Sequence, residues 1–299
     1  MKFGNLAGRA VVLEARGALD LNASSGGALP EDPMQYVDSH WRDRAREHVL
    51  RARESDYLPY NETDLDAPVP RPGKILAVAL NYRAHATESE RDVPEEPSVF
   101  PKLTSSLTGP FGSIDVPESC VMVDYEAEVV LVIGRTMRQV QAADAWQYVA
   151  GVTAGQDISD RSEQRRPPNQ FALAKSYDTF SPIGPLMATL DEFEDLDKIS
   201  VVGRISGQEV QRGHVGELIY SIPELLAWTC RYVTLEPGDL VFTGTPDGVG
   251  SRRQPPLFLA DGMVVETEIP EVGVMRNRIR SVPEGSPDAR SATSQGGSS

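Results

Sequence analysis

The segment DYEAEVVLVIG, residues 124–134, decides how the rest of the chain is read. Its apolar residues, mostly β-branched, form an almost unbroken run, so the segment is expected to be a strand buried on both faces. Side chains alternate along a strand, which puts Glu126, Glu128, Val130 and Val132 on one face and Tyr125, Ala127 and Val129 on the other. Glu126 and Glu128 then stand about 6–7 Å apart along the chain. Two carboxylates so close repel, and burying them uncompensated is costly. Either this strand end lies in solvent with two hydrated acids, or a cation intervenes.

A third acid, Asp157, lies in AGQDISDR (residues 154–161), after a short strand-like run that holds Gly151 and Gly155. Three acids from strand ends can share one cation. Oxygen donors without His or Cys suit Mg²⁺ or Mn²⁺, and Ca²⁺ less well, whereas Zn²⁺ more often recruits imidazole or thiolate. Between the two runs AADAWQYVA (residues 142–150) has a helical pattern, giving strand, helix, strand. Upstream, KILAVAL (residues 74–80) reads as a buried strand, and the charged segment 81–97 after it reads as a movable lid. Downstream, SIPELLAWTCRYV (residues 221–233) reads as a helix, LEPGDLVFTGTP (residues 235–246) as a turn into a strand, and MVVETEI (residues 263–269) as alternating β-structure.

These readings make a strand-rich α+β chain. Residues 1–70, with an Arg-rich helical stretch at 33–53 and the Pro-rich APVPRPGK at their end, are expected to form a small N-terminal domain and linker. Residues 71–281 carry the main domain. Residues 282–299, dominated by Ser, Gly and Ala, are expected to be a disordered tail.

Composition excludes several classes. The 299 residues are 40% hydrophobic and 24% charged, the balance of a soluble globular protein. A formal net charge of -15 repels phosphate backbones, which argues against nucleic acid. No apolar stretch approaches the roughly 18 residues of a membrane span, and the first residues do not read as a secretory signal. Cys120 and Cys230 suggest no disulfide framework, so a cytoplasmic setting is expected, with both thiols as packing residues.

Six segments in order carry a resemblance: KILAVALNYRAHATE, FPKLTSSL, DYEAEVVLVIG, AGQDISDR, AKSYDTFSPIGP and LEPGDLVFTGTPDGVG. Across roughly residues 70–280 the chain resembles the fumarylacetoacetate hydrolase family. The resemblance implies a mixed β-roll or barrel-like sandwich, a homodimer, and one divalent metal held by Glu126, Glu128 and Asp157. It implies a catalytic pair, His85 and Glu88, which share a face if their segment is helical. It assigns Lys175 to the active site, puts Lys102 near the metal, and offers Tyr82, Arg161, Gln164 and Thr245 as substrate contacts. Gly244 and Gly248 are expected to serve tight turns. RRPPNQFA (residues 165–172) is richer in Arg and Pro than the family leads one to expect, and the segment before residue 70 matches little of it.

The implied reaction is hydrolysis of a carbon–carbon bond in a 2,4-dioxo acid of the acylpyruvate or fumarylpyruvate type, through a metal-stabilised enolate. The substrate's carboxylate and 2-oxo oxygen would chelate the metal, His85 oriented by Glu88 would activate water, and Lys175 would support developing charge. Isomerisation of a 2-hydroxydiene diacid and decarboxylation of oxaloacetate need the same metal–enolate chemistry and are the alternatives, with a ureido-acid lyase more remote. A non-catalytic, metal-stabilised binding protein is the rival from another class.

Overall fold

The computed structural model of this chain describes residues 1–283. The expected disordered tail lies, from residue 284 onward, outside the described residues.

The segment read first forms the strand Ala127–Ile133, buried along its whole length. It sits inside an eleven-stranded sheet, antiparallel to Val149–Gln156 on one side and to Leu240–Phe242 on the other. The helical pattern between the first two is met by a 3₁₀-helix, Ala142–Tyr148, and so strand, helix, strand is the order found. The long path of the sheet runs Gly17–Asp20, Arg9–Glu14, Lys2–Leu6, Ser181–Ala188, Val149–Gln156, Ala127–Ile133, Leu240–Phe242, Ile75–Ala79, Ser98–Lys102. A five-stranded sheet holds Gln208–His214, Ser200–Ile205, Val264–Ile269, Gly273–Val282 and Ile114–Pro117 in that order. Both paths are open, so among the described residues no sheet closes into a barrel; the strand-rich sandwich is what forms.

Alternation along Ala127–Ile133 sorts its side chains into two cores. Ala127, Val129, Leu131 and Ile133 pack with Val201, Ile269 and Met275 of the smaller sheet and with Leu225, Leu226 and Cys230. Val130 and Val132 face the other way, with Phe242, Leu19, Leu21 and Tyr36. The first strands of the chain extend the main sheet, since Phe3 pairs with Met187. That pairing joins residues far apart in sequence, and no local pattern signals it.

Leu225, Leu226 and Cys230 belong to the helix Ile222–Tyr232, whose buried residues Ile222, Leu225, Leu226, Thr229 and Cys230 recur at helical spacing. Ser221 caps it: the hydroxyl accepts from the Glu224 N–H while the Glu224 side chain takes the Ser221 N–H. Such a cap contributes about 1 kcal/mol. In the central sheet Gly155 is required for space, because a Cβ there would stand 2.6 Å from Val130 Cγ2 and 2.7 Å from Phe242 Cε1. This lets the aromatic ring of Phe242 lie against the strand that leads to Asp157.

Candidate active site

The three acids singled out in the sequence are all buried, and one carboxylate oxygen from each lies within 4.8 Å of the other two. Glu128 is in the strand Ala127–Ile133, Glu126 immediately precedes it, and Asp157 immediately follows Val149–Gln156. The antiparallel pairing of these strands brings the chain ends together, and the Asp157 N–H donates to the Glu126 carbonyl at 2.9 Å.

Three buried cations attend them. Lys102 Nζ donates to Asp157 Oδ1 at 2.5 Å and to the carbonyls of Lys175 and Phe180 at 2.6 and 3.2 Å. Lys175 Nζ bridges Glu126 Oε2 at 2.8 Å and Asp157 Oδ2 at 2.6 Å. Arg161 Nη2 donates to Glu126 Oε1 at 2.6 Å and its Nε to Asp124 Oδ2 at 2.8 Å. Burial alone would raise the Glu126 carboxyl, but Lys175 and then Arg161 override it and hold the group below the usual carboxylate range. Glu128 goes the other way: burial, then repulsion from Asp157 and Glu126, pushes its carboxyl well up.

Among the described residues Glu128 receives one hydrogen bond, from the Gly244 N–H to Oε2 at 2.7 Å. A buried carboxylate with one donor and two acidic neighbours is suited to a cation. The donor set, all oxygen and convergent, fits a hard divalent ion, and each carboxylate oxygen already bonded to Lys or Arg keeps a second lone pair. The same set does not select among Mg²⁺, Mn²⁺ and Ca²⁺.

His85 and Glu88 lie on the helix Arg83–Glu88, and the His85 Nδ1 is 3.2 Å from Glu88 Oε2. The other Glu88 oxygen accepts from the Gly248 N–H at 2.9 Å, so the backbone fixes the acid that fixes the ring. Nε2 of His85 has no hydrogen-bond partner among the described residues. Gly244 and Gly248 have φ of +103° and +96°, conformations natural to glycine, and both present N–H groups to site carboxylates.

His85, Glu126, Arg161, Gln164, Lys175 and Thr245 all line one cavity of about 210 Å³. Gln164 accepts from Arg161 Nη1 at 2.9 Å, and the Thr245 hydroxyl donates to the Ala127 carbonyl at 3.0 Å. Lys102 sits behind the wall as the buried partner of Asp157. Tyr82 is placed elsewhere than expected: its ring belongs to the main core, its enclosed hydroxyl has no hydrogen-bond partner among the described residues, and it does not line the cavity. One contributor was not foreseen. Asp124, at the head of DYEAE, is fully buried and accepts from Arg161, from the Gly250 N–H at 2.7 Å and from the Ser251 N–H at 3.0 Å. An acid two residues before Glu126, at the end of a buried strand, was the available signal.

The chain can be compared with known proteins on this basis. Its residues 74–280 match the family described as fumarylacetoacetate (FAA) hydrolase C-terminal. It is 37% identical over 263 residues to oxaloacetate tautomerase Fahd2a, mitochondrial, of Rattus norvegicus, covering 88% of this chain and 84% of that one. A solved structure from Mycobacterium smegmatis, provisionally named HpcE, is 39% identical with a TM-score of 0.84, over 94% of this chain and 100% of that one. The structure of maleylpyruvate hydrolase from Sphingobium sp. SYK-6 in complex with manganese (II) ion and pyruvate is 28% identical, with a TM-score of 0.77, over 94% and 99%. The ordered motifs, the sandwich that carries them and a match over most of the chain agree: this protein belongs to the fumarylacetoacetate hydrolase family.

Proposed function

We propose that this chain is a divalent-metal-dependent enzyme that moves a proton between the enol and keto forms of a small 2-oxo acid, with oxaloacetate as the first substrate to try. The observation that carries the reading is His85, paired with Glu88 through Nδ1, on the wall of the cavity that Glu126 and Lys175 also line. Tautomerisation needs a group that takes a proton from one end of the C–C–O unit and gives one to the other, so that a C–H bond breaks as an enol O–H bond forms, or the reverse, with no added water. A neutral imidazole does both near pH 7, and Glu88 stabilises its protonated form. A cation held by Glu126, Glu128 and Asp157 would act as a Lewis acid on the 2-oxo oxygen and make the neighbouring C–H more acidic. Lys175 would hold the carboxylate pair in place beside it.

The relatives favour this reading over the carbon–carbon hydrolysis expected from sequence, because the rat protein is named an oxaloacetate tautomerase. Hydrolysis of an acylpyruvate stays as the second reading, supported by the likeness to maleylpyruvate hydrolase. In it His85 would deprotonate water instead of carbon. A homodimer and a cytoplasmic setting are proposals of the same kind. No helix among the described residues is long and apolar enough to cross a membrane, while the rat relative is named mitochondrial.

The test dilutes freshly dissolved enol-oxaloacetate into buffer with chelator-stripped protein, with and without Mg²⁺ or Mn²⁺, and follows the enol absorbance. Metal-dependent acceleration of its decay, without pyruvate or carbon dioxide, supports tautomerisation. Pyruvate with an equimolar acid from an acylpyruvate, and no effect on the enol, would move the assignment to hydrolysis.

A further inference from the structure

The buried cations in and behind the cavity wall are already neutralised. Lys175 lies between Glu126 and Asp157, Lys102 on Asp157, and Arg161 between Asp124 and Glu126. Three further arginines line the same cavity, Arg91, Arg165 and Arg252, and among the described residues none of their guanidinium groups makes an ion pair or a hydrogen bond. All three are exposed, in contrast to the buried Lys102, Lys175 and Arg161.

They arrive from three separate segments. Arg91 follows the helix Arg83–Glu88, and its N–H donates to the Ala86 carbonyl at 3.1 Å. Arg165 ends the short helix Arg161–Arg165, and Arg252 ends the 3₁₀ turn Gly250–Arg252. Burial, then repulsion from Arg161, Arg252 and Arg91, lowers the Arg165 guanidinium from its ordinary value, so these four charges act on one another. In a chain with 44 acidic residues against 29 Lys and Arg, arginines have many carboxylates to choose from. Three left unpaired at one opening, at a cost in mutual repulsion, mark a place where local stability is given up for a ligand.

We infer that Arg91, Arg165 and Arg252 bind the second carboxylate of a dicarboxylate such as oxaloacetate at the mouth of the cavity and so select it over a monocarboxylate. The inference rests on the proposed 2-oxo acid reading, and it adds which residues distinguish a dicarboxylate from a monocarboxylate. With the 2-oxo acid end at Glu126 and Lys175, the distal arm of a small diacid extends toward the opening. There the only cations free to receive it, among the described residues lining this cavity, are these three. Guanidinium is suited to the task because its fork matches a carboxylate. The mouth also offsets locally the repulsion of anions by a protein of net charge -15. A diacid bridging Arg91 to Arg165 or Arg252 would tie the segment that carries His85 to the body of the site.

The test is calorimetric titration of the Mg²⁺-loaded full chain, carrying His85→Ala to stop turnover, with oxaloacetate and with pyruvate. We expect oxaloacetate to bind about tenfold or more tightly than pyruvate. Arg91→Gln, Arg165→Gln and Arg252→Gln should each weaken oxaloacetate by roughly threefold to tenfold, and together bring it to the level of pyruvate, with pyruvate unchanged. Exposed side chains without partners leave the fold intact when replaced. If pyruvate binds but the second carboxylate adds nothing, or if the triple variant weakens both ligands equally, the arginine assignment is wrong while the 2-oxo acid reading stands. If neither ligand binds, both fall.

Discussion

Replacing Glu128 by Gln separates a metal site from an ordinary cluster of buried acids, because the two predict opposite signs. Glu128 lies with Glu126 and Asp157 in a set where one carboxylate oxygen from each lies within 4.8 Å of the other two, and two unit charges at that distance repel by about 3.5 kcal/mol at an effective dielectric of about 20. The site can relieve this by keeping a proton on Glu128. Holding that proton from an ordinary value near 4.3 up to pH 7 costs about 3.7 kcal/mol, which caps the penalty. Lys175 offsets part of it, so a neutral amide of the same shape should stabilise the metal-free protein by about 1–3 kcal/mol. The Gly244 N–H keeps its acceptor in the amide oxygen. Metal works in reverse: at a hundred times its Kd a divalent ion stabilises the wild type by about 2.7 kcal/mol. The variant, with one ligand weakened, should gain less than about 1 kcal/mol at the same concentration. Urea unfolding followed by tryptophan fluorescence, in chelator and in Mg²⁺, measures both quantities. A variant that is less stable than wild type in chelator and keeps the full metal response would refute the placement of the metal.

Asp157→Asn removes the carboxylate that both Lys102 and Lys175 address, so it should cost about 3–5 kcal/mol in chelator and abolish the metal response in the same unfolding assay. His85→Ala should lower the rate of enol decay at least about a hundredfold while leaving the metal-induced stabilisation unchanged; full activity in this variant would remove His85 from the mechanism. Gly155→Ala places a methyl 2.6 Å from Val130 and 2.7 Å from Phe242, and should destabilise by about 1–3 kcal/mol in thermal or urea unfolding.

What the sequence made legible follows from the range of the forces involved. The strand Ala127–Ile133 announces itself because burial on both faces demands apolar residues at every position, and the helix Ile222–Tyr232 because its cap and its apolar spacing are local. The pairing of Lys2–Leu6 with Ser181–Ala188 is not local, and nothing in residues 1–70 says which edge they join. The same division runs through the site. Glu126, Glu128 and Asp157 are legible as a cluster because uncompensated acids in apolar runs require an explanation. Tyr82 is not legible in the same way: a Tyr beside a catalytic segment is equally suited to substrate or to core, and only the packed structure places its ring in the core. Asp124 offers only its place two residues before Glu126 as a signal, and its role shows when Arg161 and two backbone N–H groups are seen to meet it.

The glycine-rich segment after Leu240–Phe242 shows why the site needs more than its side chains. The sequence reads it as a set of tight turns, and in the structure those turns aim three backbone donors at three different acids. Gly244 N–H reaches Glu128, Gly248 N–H reaches Glu88, and Gly250 N–H reaches Asp124. One acid belongs to the candidate metal set, one orients His85, and one anchors Arg161, which in turn holds Glu126. Backbone amides cannot rotate away as side chains do, and positive φ at Gly244 and Gly248 fixes their direction. A single loop therefore sets the distance between the His85 imidazole and the carboxylates that would hold the metal. Proton transfer at carbon is sensitive to that distance, since base and activated C–H must meet within hydrogen-bonding reach. Carboxylates drawn from an eleven-stranded sheet and a base carried on a six-residue helix keep one geometry because the same turn holds both.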